Sequence, residues 1–468
     1  MKVSSLALRV GALATACAAF VVVAGSTVGV AQQAPAAAPP AAGAGQRAGG
    51  APGGGAPGGG RARGPAPDTL GAGPWDFGAG AARYHVSVLA RGLDHPWGIA
   101  FLPNGDMLVT ERIGRLRVIR NGVLDPTPIA GLPADLWANP GQLGGLLDVE
   151  LHPNFAQNRL IYFSYSKQHP DPAMCTNHVS ACMATTAVAR ARWDGGNTLS
   201  DVKDIIVTKG YAGDGEFRDK RAVGPASGSF GSRLAFGADG SLYIGSGDRN
   251  IPPVSQDPQT HNGKILRVKD DGSVPADNPF VNNKAYLPEI YSIGHRNVLG
   301  LYFHPTTGAL WESEEGPQGG DEINIIEKGK NYGWPLASLG RNYDGTIVGN
   351  GFSAPGVEDP LVFWVPAIAI SGLSIYDGDK FPAWKGQAFV GGMRAGTGQF
   401  VARVTFNAKG EPTGRDHSML ADLKQRIREI KPGPDGYLYA LTDQDIGAVL
   451  KIEPAAPAAA PVPTTTTR

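Results

Sequence analysis

A strand–turn–strand unit recurs along this chain, and it limits the possible folds more than any other feature. AFLPNGDMLVTE turns at Asn104-Gly105, LAFGADGSLYIGSG at Asp239-Gly240 and IKPGPDGYLYALTD at Asp435-Gly436. YFHPTTGALWES is a variant with Thr307-Gly308 at its turn. Asn-Gly and Asp-Gly supply the positive φ values that tight hairpins need. The second strand of each unit alternates apolar and polar residues, and a further strand often follows, as in GRLRVI, GKILRV and AVLKIE. A sheet of this kind cannot hide both faces alone, and radial repetition solves that problem. The 66 glycines and 38 prolines, with few long helical patterns, agree with a turn-rich β protein. Roughly 380 foldable residues at about 60 per blade make about six blades. The expected fold is therefore all-β, a six-bladed β-propeller with four-stranded antiparallel blades. A pair of β-sandwiches is the competing architecture, and repeats spread through the whole length argue against it.

The ends of the chain read differently. Lys2 and Arg9 precede a mostly apolar or small stretch from Val10 to Val30, and Val30-Ala31 stands before a glutamine pair. This predicts a secretory signal over residues 1–31, with Cys17 inside it, and no stable membrane insertion after its cleavage. Residues 32–73 are mainly Ala, Gly and Pro and read as a disordered linker, as does the tail 454–468. The propeller is expected over 74–453. Export places the protein in the periplasm or outside the cell, where Cys175 and Cys182 are expected to pair in a local disulfide. The formal net charge is zero, so no global field favours nucleic acid.

Candidate chemistry concentrates between Tyr291 and Trp334. His295-Arg296-Asn297 offers a guanidinium fork and an amide, which suit an anionic, oxygen-rich ligand. Glu315-Gly316-Pro317 interrupts a strand ladder, because proline lacks an N–H, and can leave carbonyl oxygens for a hard cation. Asp321 and Glu322 follow closely, as a second calcium site, a brace for the loop or plain surface acids. Together these residues suggest a polyanionic cofactor held by arginine and bridged by calcium. His152 ends the strand LLDVEL and can accept a proton at neutral pH; alone it would read as a capping histidine. Gln142, in the GQLGG loop before that strand, is a candidate pocket residue. Arg426 and Arg428 alternate on a strand and so share one face, where two arginines would suit carboxylates. Arg233 is a candidate pocket-lining cation. No GxSxG, HExxH or Walker pattern points to another enzyme class.

GHRN, EEGP, GGDEINII and GKNYGWP resemble the soluble quinoprotein sugar dehydrogenases, the glucose/sorbosone dehydrogenase family, and within it the periplasmic aldose sugar dehydrogenases. The resemblance runs from LDHPWGIAFLPNG near Leu93 to GPDGYLYALTD near Asp443. It independently implies a six-bladed propeller, with pyrroloquinoline quinone (PQQ) and Ca2+ as cofactors and an aldose sugar as substrate. It makes His152, in its LHPNF motif, the base for the anomeric hydroxyl, with hydride passing to the PQQ C5 carbon. Arg296 and Asn297 become PQQ contacts, and Arg296 stabilises charge on the quinone oxygen. Gly316 and Pro317 become the calcium-binding carbonyls, with Glu322 near them, and Arg426 and Arg428 pair with the PQQ carboxylates. Three departures stand out. The family's RNPQG is RNVLG here, through Val298 and Leu299. Arg394 stands where the family usually has lysine, and Ser229 where relatives often have histidine. Electrons must then pass to a periplasmic acceptor that the sequence does not identify. The rival readings are a calcium-dependent propeller lactonase and a non-catalytic binding propeller.

Overall fold

The computed structural model describes residues 68–79, 82–138, 143–171, 184–211 and 228–455. Gln142, the Cys175–Cys182 pair, the signal and almost all of the linker and tail lie outside the described residues. Six antiparallel sheets follow one another along the chain. Blade 1 spans Pro96–Phe101, Met107–Glu111, Arg115–Arg120 and Val123–Leu124. Blades 2 to 5 begin with Leu146–Leu151, Gly231–Phe236, Val298–Phe303 and Ile370–Ile375, and each adds three more strands in order. Blade 6 begins with Ile427–Pro432 and continues through Leu438–Thr442 and Gly447–Pro454. Its next strand comes from the other end of the chain, Tyr84–Leu93, with the short Trp75–Phe77 outside it. The protein is a six-bladed β-propeller closed by its own N-terminal strand.

The repeated turns join first to second strands. Phe101 pairs with Met107 across Asn104-Gly105, and Phe236 with Leu242 across Asp239-Gly240. Gly105 has φ +88° with open space where a side chain would stand, so the turn needs glycine for its backbone alone. The second strands Met107–Glu111, Leu242–Ser246, Leu310–Glu314 and Leu438–Thr442 are buried at every position. The alternation read from sequence is therefore not an inside–outside pattern. A blade is covered on both faces by its neighbours, and both faces must be packed.

Packing is distributed accordingly. Six apolar clusters each lie between successive blades, such as Leu108, Leu116, Ile161 and Phe163 between blades 1 and 2. A further cluster sits at the axis and joins Trp97, Leu147, Phe230, Leu299 and Met393 from five blades. Arg233 ties the centre together. It donates to the Leu299 carbonyl at 2.6 Å, to Asp148 Oδ1 at 3.2 Å, to the Arg428 carbonyl at 3.3 Å and to Glu429 Oε2.

Candidate active site

The inner strands all run the same way along the axis. Residues at their starts (Trp97, Leu147, Gly231, Leu299 and Arg428) line one cavity, here called the entry mouth, with Asn297, Glu315 and Arg426. Residues near their ends (Leu151, Phe236, Phe303 and Lys431) line another, the far mouth.

Arg296 and Asn297 form the link that enters the inner strand of blade 4. Asn297 Oδ1 accepts the Gly231 N–H at 2.9 Å, and its Nδ2 donates to Glu315 Oε2 at 2.9 Å. Arg296 Nη1 donates to the carbonyls of Glu315 and Gly316, both at 3.0 Å, and Nη2 to the Tyr343 hydroxyl at 3.2 Å. Burial opposes the charge on Arg296, but Asp248, Tyr343 and Glu315 outweigh it and raise its pKa. The Glu-Gly-Pro loop is thus held by a permanent cation. Asp321 holds the same loop through Oδ1, which accepts the Gly316 N–H at 3.0 Å. Its Oδ2 accepts the N–H groups of Ile368 and Ile370 at 2.8 and 3.0 Å. Burial and the Glu315 charge push Asp321 up to about 7 against those bonds. Of the roles open to Asp321, this geometry is that of a brace.

Arg426 and Arg428 both line the cavity from blade 6, as their alternate spacing implies. Arg428 Nη2 donates to Asp443 Oδ2 at 2.5 Å, and Arg426 Nη2 to the same oxygen at 3.1 Å. His95 Nδ1 lies 2.7 Å from Asp443 Oδ1, and Arg112 Nη1 lies 3.8 Å from it. Burial would raise the Asp443 pKa, but Arg428, His95, Arg112 and Arg426 hold it well below the usual carboxylate range. Three arginines share this carboxylate. Arg428 Nε is buried and has no hydrogen-bond partner. An unsatisfied charged donor in a cavity-lining residue favours an anionic ligand.

Other candidates fall elsewhere. His152 follows the inner strand of blade 2 rather than preceding one, so the structure places it by the far mouth. Its ring meets Phe236 and Tyr162, and its Nε2 lies 3.6 Å from Asp270. Burial lowers its pKa. Five residues of strand at about 3.3 Å each separate its level from that of Leu147, roughly 16 Å along the axis. Arg233, expected to contact the cofactor, is committed to Asp148, Glu429 and two carbonyls and lines the far cavity, so its charge is spent inside the fold. Glu322 is buried in the sheet of blade 4 beside Asn324, not at the Gly316 and Pro317 carbonyls. Arg394 is exposed in the turn after Met393, which lines the entry cavity. Ser229 lines the cavity too, with its Oγ 3.0 Å from Asn250 Oδ1. Sequence reasoning missed Trp97 and Asp443. Both lie in quoted stretches, LDHPWG, which only marked where the resemblance begins, and ALTD, which read as a hairpin strand.

The sequence profile described as Glucose / Sorbosone dehydrogenase matches residues 93–451. This chain belongs to the glucose/sorbosone dehydrogenase family. Aldose sugar dehydrogenase YliI of Escherichia coli is 41% identical over 379 residues, covering 80% of this chain and 94% of the relative. The solved apo-form of the soluble aldose sugar dehydrogenase from Escherichia coli superposes with a TM-score of 0.71 at 40% identity, over 80% of this chain and 100% of that one. A PQQ-bound form of an aldose sugar dehydrogenase from Streptomyces coelicolor gives a TM-score of 0.59 at 25% identity, over 79% and 98% of the two chains. The protein is a sugar-oxidising enzyme of this family.

Proposed function

We propose that this protein is an exported quinoprotein that oxidises the anomeric carbon of aldoses to lactones, using PQQ with calcium. The observation that carries the reading is a single cavity that gathers Arg426 and Arg428 from blade 6 with Asn297 and Glu315 from blade 4. The residues present fit both groups. A quinone bearing carboxylates matches the arginine pair and the unpartnered Arg428 Nε. Calcium takes oxygen ligands, backbone carbonyls included; the Gly316 and Pro317 carbonyls offer such oxygens. When bound, PQQ supplies the hydride acceptor and calcium the Lewis acid that polarises it.

The chain's own residues do the rest. Glu315 is the carboxylate among the residues lining the cavity, and Asn297 fixes its Oε2. We assign it the proton from the sugar hydroxyl, since Ser229 offers a hydroxyl and no base where relatives often carry histidine. Arg296, held against the Glu315 and Gly316 carbonyls, keeps positive charge fixed at the reacting end without reorganisation. Trp97 and Phe230 give the cavity flat apolar walls. Electrons leave to a separate acceptor in the periplasm.

The test is reconstitution. Chelator-treated full-length protein is titrated with PQQ, with and without calcium, and glucose-dependent bleaching of an electron-accepting dye is followed. Activity is expected only with both additions. Lactone hydrolysis without quinone, or no turnover with any aldose, overturns the reading.

A further inference from the structure

Blade 4 contains a group of buried acids next to the Arg296 link. Glu312 and Glu314 lie on its second strand, Glu322 and Asn324 on its third. The register sets Glu314 opposite Glu322 and Glu312 opposite Asn324, and strand alternation turns all four to one face. His295 approaches them from the link after blade 3. His295 and Glu312 are 0% exposed and Glu314 is 4% exposed. Like charges directly opposite each other destabilise a sheet, and buried charges require compensation. Among the described residues no Lys or Arg side chain pairs with these glutamates.

Hydrogen bonds satisfy only part of the group. Asn324 Nδ2 donates to Glu312 Oε1 at 2.8 Å, and the Arg296 backbone N–H donates to Glu314 Oε2 at 2.6 Å. Glu312 Oε2 and His295 Nδ1 are buried without a hydrogen-bond partner. Nδ1 lies 3.8 Å from Glu312 Oε1 and 3.7 Å from Glu314 Oε1, beyond hydrogen-bond length. The other ring nitrogen is 2.8 Å from Ser292 Oγ, and the ring stacks on Tyr332. An imidazole fixed through one nitrogen, with the other aimed between two carboxylates, has the arrangement of a metal ligand with its supporting hydrogen bond.

We propose that His295, Glu312 and Glu314 form a buried site for a divalent transition metal of the zinc or manganese type, with Glu322 closing the set. Ligand atoms of the first three lie within 4.8 Å of one another. One ion with bonds of about 2.0–2.2 Å closes that spread after shifts of a few tenths of an ångström. The imidazole argues against calcium, which takes oxygen ligands, and for a borderline ion. The ion's charge offsets the carboxylates that face each other across the sheet. Because Glu314 also holds the Arg296 N–H, the metal braces the corner that carries Arg296 and Asn297. This site is separate from the Gly316 and Pro317 carbonyls and does not depend on the quinone.

Elemental analysis of the full chain, grown with zinc and manganese and dialysed against a calcium-selective chelator, tests the proposal. Stoichiometric zinc or manganese is expected. Stripping with a transition-metal chelator lowers Tm, and adding the ion back restores it. Glu312→Gln reduces retained metal to background. Should that variant fail to fold, His295→Leu/Glu312→Leu replaces the group with apolar side chains. The double variant is expected to fold without metal and to show a chelator-independent Tm. Wild-type protein with no stoichiometric metal and no Tm response to either ion overturns the proposal. So does metal retained by the variants.

Discussion

Glu315 and His152 are separated by the direction of the chain. In this propeller a residue just before an inner strand, or just after a second strand as Glu315 is, reaches the entry mouth, and one just after an inner strand, as His152 is, reaches the far mouth. The sequence revealed that His152 ends a strand, but strand periodicity carries no label for which mouth that end faces. Arg296, Asn297, Arg426 and Arg428 were legible because they precede or begin inner strands within recognisable motifs. Arg233 was not, because only the assembled ring brings Asp148 and Glu429 to it. The assignment of the base is checked by kcat for two variants. Glu315→Gln is expected to lose about a hundred- to ten-thousand-fold, as removal of a general base does, while His152→Asn stays near wild type. The opposite outcome returns the role to His152. A PQQ titration of apoprotein separates two arginines. Arg428→Lys keeps charge but loses the unpartnered Nε, so weaker binding is expected. Arg394→Ala, at an exposed residue outside the cavity lining, is expected to leave the affinity close to wild type, and a clear loss of PQQ binding brings Arg394 into the cofactor site. Asp321 carries a pH signature. Its folded pKa of about 7 exceeds the ordinary carboxyl value, so the stability it contributes is complete below about pH 4 and lost as pH rises through about 7. Urea melts at about pH 5 and about pH 8 should show wild type losing more stability than Asp321→Asn.

Elements were easier to read where a turn residue announced them. The hairpins of blades 1, 3, 4 and 6 carry Asn-Gly, Asp-Gly or Thr-Gly and appeared in the sequence at their true places. Blade 2 instead joins its first strands through the short helix Phe155–Asn158, and blade 5 through a 3-10 turn at Pro382–Trp384. Neither has a two-residue turn: blade 2 carries no turn pair there, and the Asp377-Gly378 pair of blade 5 lacks the positive φ at Gly378 that a tight hairpin uses. Contacts between elements were less legible still. At Gly300, on the inner strand of blade 4, an added Cβ would stand 2.6 Å from Leu373 Cβ and 2.7 Å from Leu373 N on the inner strand of blade 5. Glycine there is a spacing device between blades. Gly300→Ala is expected to cost about 1–3 kcal/mol in a denaturant melt, and a neutral result means the blades can part without penalty.

The whole molecule depends on how its ring is shut. Tyr84–Leu93 pairs along its length with Gly447–Pro454, and Leu93 is fully buried between blades 6 and 1. If closure belongs to the cooperative unit, Leu93→Ala should cost about 2–5 kcal/mol, as a deeply buried leucine does. A much smaller loss in the same melt shows a last blade that unzips alone. The proposal of export is checked by intact mass before and after reduction. It expects a mature chain starting near Gln32 with Cys175 and Cys182 joined, and a retained Met1 or two free thiols rejects it.

The clasp also fixes where the propeller can be held. Its last strand runs parallel to its inner strand, so Pro454 leaves on the far-mouth side, whereas the segment before Tyr84 turns back along blade 6, where Leu70 meets Arg91 and Thr69 meets Gln425 near the entry-mouth end. Anything fused after Pro454, a support surface or a second domain, takes hold of the back of the molecule. A sugar approaching along the axis from the front would meet the same opening whether the enzyme were free or anchored through that end.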